Sequence, residues 1–164
     1  VIVNPLRIKE GVQDEMENNI VLYFTNFTRN SSDVLTEQVQ KMKDKNKTSI
    51  LSLHALVEQA KLIKDCMIKG TIDELGEILD YGFQQKKLLA KGISTPEIEL
   101  LYETALKAGA TGGKISGAGG GGFMFFYCPN NTKYDVIRAL DKLKMGYHQP
   151  FTWNKLGIRT WQIG

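Results

Sequence analysis

Gly112 to Cys128 read GGKISGAGGGGFMFFYC, and this stretch governs how the rest of the 164-residue chain is understood. Between Gly117 and Gly122 the only side-chain carbon is the methyl of Ala118. Each glycine costs roughly 0.5–1 kcal/mol of backbone entropy relative to alanine. A run this dense is kept where the backbone turns sharply or lies against a ligand. Eight of the 16 glycines fall between Gly109 and Gly122. On the upstream side, Lys114 to Ser116 read as a short strand. On the downstream side, FMFFYC (123–128) is an apolar strand stopped by Pro129. Two uses of the loop stay open on these grounds: a simple tight turn, or a nest of backbone N–H groups that accepts phosphate oxygens.

Three familiar phosphate loops fail on context. A P-loop needs GxxxxGK followed by Ser or Thr, whereas Phe123 and Met124 follow the last glycine here. Gly117, Gly119 and Gly122 satisfy GxGxxG, but a dinucleotide-binding loop opens onto a helix and this one opens onto a strand. A protein-kinase loop is strand–loop–strand, yet the 42 residues after Gly122 hold no catalytic-loop or magnesium motif.

Outward from the loop, the chain alternates strand-like and helical patterns. After an extended start, IVLYF (20–24) reads as a strand, followed by the polar turn TNFTRNSS (25–32) and a helix over 34–43 capped by Ser31, Ser32 or Asp33. A helix over 50–69 carries Leu53, Leu56, Val57, Ala60, Ile63 and Met67 on one stripe, and Gly70 ends it. The next helix, capped by Thr71, buries Ile72, Leu75, Leu79 and Phe83. Another starts at Pro96 behind Ser94 or Thr95, buries Ile98, Leu101, Tyr102 and Ala105, and ends at Gly109. A last helix spans 134–143. Strand-like alternation then returns around Phe151 and over 158–163. No repeat or linker interrupts this order, so we expect one α+β domain. Both IVLYF and FMFFYC are apolar at odd and even positions, so both sheet faces require cover.

Composition bounds the remaining possibilities. With 42% hydrophobic and 24% charged residues the chain is neither disordered nor a disulfide scaffold. The charge of +3 is nearly balanced, and the basic stretch KMKDKNK (41–47) lacks interleaved aromatics, so no nucleic-acid partner is expected. No apolar run reaches the length of a membrane span, so no membrane partner is expected either. Cys66 and Cys128 stand alone, which argues for a reducing, cytoplasmic compartment. His54 and His148 lack catalytic partners in sequence and read as structural. The chain begins with Val1 rather than Met, which we read as a fragment or processed product.

Lys-x-Ser-Gly-Ala-Gly-Gly-Gly-Gly-Phe (114–123), entering an apolar strand, resembles the third motif of the GHMP small-molecule kinases. LYFTNFTRNSSDV (22–34), GISTPEIELLY (92–102) and KAGATGGKISGAGGGGFMFFY (107–127) are similar to the D-glycero-D-manno-heptose 7-phosphate kinases within that superfamily. Ser116-Gly117 stands where that family usually has Leu-Gly.

The resemblance implies a ferredoxin-like antiparallel sheet with helices packed on one face. It implies the C-terminal half of a two-domain kinase, with residues 20–164 as that domain and 1–19 as the remnant of a link to a missing N-terminal kinase domain. The implied reaction moves the γ-phosphoryl group of ATP to the C1 hydroxyl of a heptose 7-phosphate. ATP and Mg²⁺ are then bound mainly by the missing half, which also supplies the catalytic residues. Ser116, Gly117, Ala118, Gly119, Gly120, Gly121 and Gly122 become the phosphate loop. Thr25, Arg29, Ser31, Ser32 and Lys114 become sugar-phosphate contacts. A second copy of the chain is a candidate partner. Another GHMP acceptor (galactose-, mevalonate- or homoserine-like) and a non-catalytic ferredoxin-like ligand-binding module are the alternatives.

Overall fold

Short β-prone runs become strands and longer amphipathic segments become helices. The computed structural model describes residues 4–27, 31–154 and 160–162. In chain order these are α1 (Glu10–Asn19), β1 (Ile20–Phe24), α2 (Ser31–Lys43), α3 (Lys47–Lys69), a 3₁₀ turn (Ile72–Glu74), α4 (Leu75–Lys87), α5 (Pro96–Lys107), β2 (Gly112–Ile115), β3 (Phe123–Tyr127), α6 (Lys133–Lys142) and β4 (Tyr147–Gln149). The sheet order is β2-β3-β1-β4, with every neighbouring pair antiparallel. This is the ferredoxin-like arrangement that the resemblance implied, with four α-helices in the first crossover where the simple fold has one.

One sheet face is sealed. Val21, Tyr23, Ile115, Met124 and Phe126 point into a core completed by Phe83 of α4, by Ile98, Leu101, Tyr102 and Ala105 of α5, and by Val136 and Leu140 of α6. These side chains are the stripes that the 3.6-residue spacing selected, and full burial of each large one contributes about 1.5–3 kcal/mol. Thr95 caps α5 by accepting from the N–H of Ile98 at 3.4 Å, with Pro96 in the first turn.

The second face is covered in part, by an element the sequence did not announce. Residues 10–19 form α1, where an extended start was expected. Its sequence, EGVQDEMENN, offers only Val12 and Met16 as an apolar pair, too little for a periodic signal. The helix persists because that pair packs against Ile20, Tyr127, Ile72 and Leu75. Phe151 and Trp153 lie beside it, and the Trp153 indole donates to Gln13 O at 3.0 Å. Trp161, by contrast, is 80% exposed. Towards the glycine loop the face stays open: Phe24 meets Phe123 at 5.0 Å and Tyr147 at 5.3 Å between ring centroids, with Phe123 and Tyr147 exposed.

Two further expectations are corrected. On α3 the buried face is Ser49, Ser52, Gln59 and Cys66, while Val57 and Ala60 of the expected stripe are exposed. The rotation follows from Gly82 on α4, which leaves room for the Gln59 amide to reach the carbonyl of Ile78 at 2.9 Å. The last strand is Tyr147–Gln149, earlier than the alternation around Phe151 suggested. Gly146 lies where a Cβ would be 2.0 Å from Phe24 O, which lets the chain join the sheet edge there, and Pro150 ends it. Of the expected strand over 158–163, residues 158, 159 and 163 lie outside the described residues, and 160–162 are in no regular element.

Candidate functional site

The glycine loop sits at one end of the sheet, between the β2–β3 hairpin and the exit of β1. Its base is closed by three backbone bonds: Ser116 N to Phe123 O at 2.7 Å, Thr25 N to Gly122 O at 2.9 Å, and Gly122 N to Phe27 O at 2.9 Å. Its crown is held from the side, where Gly120 N donates to Ile93 O at 2.9 Å. Gly117, Gly119, Gly120 and Gly122 have φ of +67°, +105°, +77° and +86°, the left-handed region that side chains rarely adopt. At Gly119 space is short as well, since a Cβ would lie 2.8 Å from the Cα of Ile93. The loop is therefore fixed in shape, and glycine is required to give it that shape.

Fixing the loop leaves donors over. Among the described residues the N–H groups of Gly117, Ala118 and Gly121 make no hydrogen bond. Free donors on a rigid turn are what an anion-accepting nest consists of.

Positive charge lies beside them. Lys114, on β2 just before the loop, is half-buried, and burial holds its ammonium below the ordinary lysine range. Lys86, in the last turn of α4, donates to the carbonyl of Gly117. Burial, and then the charge of Lys114, push Lys86 down to about 8. Neither lysine forms an ion pair with a described carboxylate. Lys86 escaped the sequence reading because an Lys-Lys pair closing an amphipathic helix looks like ordinary solvated charge. Only the α4–β2 packing, where Gly112 lies against the carbonyl of Gly76, brings it to the loop.

The other expected contacts divide. Thr25 has no exposed surface, and its hydroxyl accepts from Phe27 N at 3.4 Å, so the fold gives it a place in anchoring the end of β1. Ser32 is exposed in the first turn of α2, and its carbonyl accepts from the Thr36 hydroxyl at 2.7 Å. Arg29 and the side chain of Ser31 lie outside the described residues. The start of α2 borders a cavity of about 190 Å³ lined by Asp33, Val34, Glu37, Lys91 and Gly92. Across it, both carboxylate oxygens of Glu37 accept from Lys91 N at 3.2 Å, and Glu37 also pairs with Lys41 at 3.0 Å. That clasp ties α2 to the segment carrying Ile93, which in turn holds Gly119 and Gly120. Glu37, Lys91 and Ile93 thus support the loop, and of the three only Ile93 falls in a segment, GISTPEIELLY (92–102), that the family resemblance marked.

His54 is exposed on α3, and His148 pairs in register with Tyr23. Burial and then Lys133 lower the pKa of His148. Among the described residues no group of three or more His, Cys, Asp or Glu side chains could hold a metal ion. Among the same residues no helix is long and apolar enough to cross a membrane.

Known proteins resemble this chain in sequence and fold. The chain is 40% identical over 163 residues to D-glycero-alpha-D-manno-heptose 7-phosphate kinase of Campylobacter jejuni, covering 99% of this chain and 47% of that protein. It is thus about half the length of that relative. The crystal structure of a D-glycero-D-manno-heptose 1-phosphate kinase from Bacteroides thetaiotaomicron superposes with a TM-score of 0.62 at 30% identity, over 92% of this chain and 38% of that one. Mevalonate kinase of L. major, in complex with R-mevalonate, shares the fold at a TM-score of 0.66 and 21% identity, over 82% of this chain and 43% of that one. Residues 60–145, just over half of the chain and including the whole glycine loop with Lys86 and Lys114, match the family described as GHMP kinases C terminal, to which this chain belongs.

Proposed function

We propose that this chain is the C-terminal part of an ATP-dependent sugar-phosphate kinase, and that its acceptor is D-glycero-D-manno-heptose 7-phosphate. In the reaction the C1 hydroxyl oxygen forms a bond to the γ-phosphorus of ATP. The bond from that phosphorus to the β,γ-bridging oxygen breaks, ADP leaves, and the hydroxyl proton is released. Such a transfer asks a protein mainly for positioning and for stabilisation of charge on the phosphoryl oxygens. The observation that carries the reading is the rigid loop from Ser116 to Gly122, with three free N–H groups beside two lysines that no described carboxylate pairs with. The similarity to a heptose 7-phosphate kinase over nearly the whole chain supports the acceptor class. We assign Ser116–Gly122 and Lys114 to the phosphate-facing wall, with Ser31, Ser32 and Arg29 at the neighbouring sugar-phosphate side. Thr25 acts from behind, by anchoring the loop. ATP and Mg²⁺ are held mainly by an N-terminal kinase domain, which also supplies the catalytic residues, and no step is routed through a metal here.

The test is a substrate panel with the complete polypeptide that carries this chain. Incubation with ATP and heptose 7-phosphate should yield the 1,7-bisphosphate, read by ³¹P NMR, whereas residues 1–164 alone should yield none. Preference for galactose, mevalonate or another unphosphorylated acceptor would sink the heptose assignment. Full activity of residues 1–164 alone would sink the two-part site.

A further inference from the structure

Lys86 and Lys114 are an unusual pair. Two ammonium groups share one half-buried corner, each depressed by burial, and no carboxylate among the described residues offsets them. Like charges held together out of water are unfavourable, and a protein ordinarily separates them or supplies an acid. Here the fold does neither. One of the three donors of Lys86 is committed to the carbonyl of Gly117, which pins the ammonium at the mouth of the loop and leaves two donors for a ligand. Lys114 makes no hydrogen bond with a described residue, so all three of its donors remain. Asp80, on the same helix as Lys86, accepts from the Tyr102 hydroxyl at 2.6 Å and from the Gln84 amide at 2.8 Å and forms no ion pair with either lysine.

We propose that Lys86 and Lys114 together form a receptor for a phosphate monoester dianion, with Lys86 positioned by Gly117 and acting directly on the phosphate oxygens. Two positive charges match the two negative charges of a monoester, whereas a neutral sugar hydroxyl would leave both lysines uncompensated. The inference rests on the kinase reading for the source of the dianion, which is either the phosphate of the acceptor sugar or the terminal phosphate of the nucleotide.

The experiment uses the complete polypeptide labelled with ¹³Cε-lysine. Inorganic phosphate, a hexose 6-phosphate, the same hexose without phosphate, and ADP are titrated separately, and NMR follows the lysine signals. Phosphate and at least one phosphorylated probe should bind saturably and raise the titration midpoint of Lys86, while the bare hexose should do nothing. Lys86→Met and Lys114→Met should each weaken that binding about tenfold, the loss expected for a charge-assisted contact. Lys86→Arg should recover part of it, and Lys107→Met, on the exposed face of α5, should change nothing. Circular dichroism of each variant separates lost binding from lost folding. Selective loss with the hexose phosphate assigns the dianion to the acceptor, and selective loss with ADP assigns it to the nucleotide.

Unchanged affinity in both single Met variants, or lysine signals that do not move with phosphate, overturns the receptor. Lysine-dependent phosphate binding in a polypeptide that phosphorylates no sugar overturns the kinase reading and leaves the receptor standing. Lysine-independent binding in an active heptose kinase does the reverse.

Discussion

Gly119 lies against Ile93 so closely that a Cβ would fall 2.8 Å from the Ile93 Cα and 2.9 Å from its carbonyl oxygen, while the next residue, Gly120, donates to that same oxygen at 2.9 Å. The 90s segment is therefore the mould in which the loop is set. Gly122 offers the contrast, with a positive φ of +86° but nothing within 4 Å of a built Cβ. Gly122→Ala should cost only the left-handed strain, about 1–2 kcal/mol. Gly119→Ala adds a clash with backbone and should displace the crown of the loop. In the complete polypeptide we expect Gly119→Val or Gly120→Val to lower kcat/KM for phosphoryl transfer at least ~100-fold, with the far-UV spectrum unchanged. Wild-type turnover in these variants would reduce the loop to a simple hairpin turn.

The pH dependence follows from Lys86. Its pKa in the folded chain is pushed down to about 8 from an ordinary 10.5, burial being the larger cause and Lys114 the second. Binding of a phosphate dianion requires the protonated lysine, so affinity should be full below about 8 and fall as pH rises through it. A phosphate monoester becomes dianionic above about 6, so phosphate affinity should peak between these limits. Stability runs the other way. Between about 8 and 10.5 the unfolded chain holds a proton on this lysine that the folded chain has lost, so the Lys86 contribution to stability rises with pH across that window. Urea titrations across it should show this rise, smaller in Lys86→Met. An affinity unchanged through pH 8 would contradict the assignment.

How much could be read from the residues alone depended on whether a feature was local. The loop from Ser116 to Gly122 was legible because glycine density is a local property, and the positive φ angles found there are what it exists to permit. The α5 stripe of Ile98, Leu101, Tyr102 and Ala105 was equally plain, since helical spacing and a Thr-Pro start agree. What escaped notice was set by tertiary contact. Helix α1 has two apolar residues and exists because Ile20 and Tyr127 wait for them. The buried face of α3 turned towards Gln59 and away from Val57 because Gly82 stands opposite. Lys86 entered the site only through the close packing of α4 on β2. The two-sided apolar character of β1 and β3 did signal a need for cover, and α1 with Phe151 and Trp153 meets part of it.

Both cysteines should be inert in the native chain. Cys66 is 2% exposed and donates its thiol to the carbonyl of Thr71 at 2.9 Å, and burial raises its pKa. Cys128 has no exposed surface, and burial pushes its thiol up to about 12, with Lys133 offsetting a little. The thiolate is the reactive form, so a thiol reagent at pH 8 should modify neither residue until denaturant is added, and then both together. Rapid native labelling of one equivalent would show that one of these sites opens.

The contact between Gln59 and Gly82 supplies the sharpest test of the helix packing. A Cβ on Gly82 would fall 1.9 Å from the Gln59 amide nitrogen and 2.2 Å from its oxygen. Gly82→Ala must therefore expel that amide and break its 2.9 Å bond to Ile78 O, displacing a buried polar side chain at a helix–helix contact. We expect Gly82→Ala to destabilise by about 2 kcal/mol and Gln59→Ala by about 1 kcal/mol. The double variant has no amide to expel, so its cost should fall short of the sum by about 1 kcal/mol. Denaturant melts of the four proteins measure that coupling directly. Strict additivity would mean that the two residues do not compete for the same space, and that the face α3 turns to α4 is chosen by something other than Gln59.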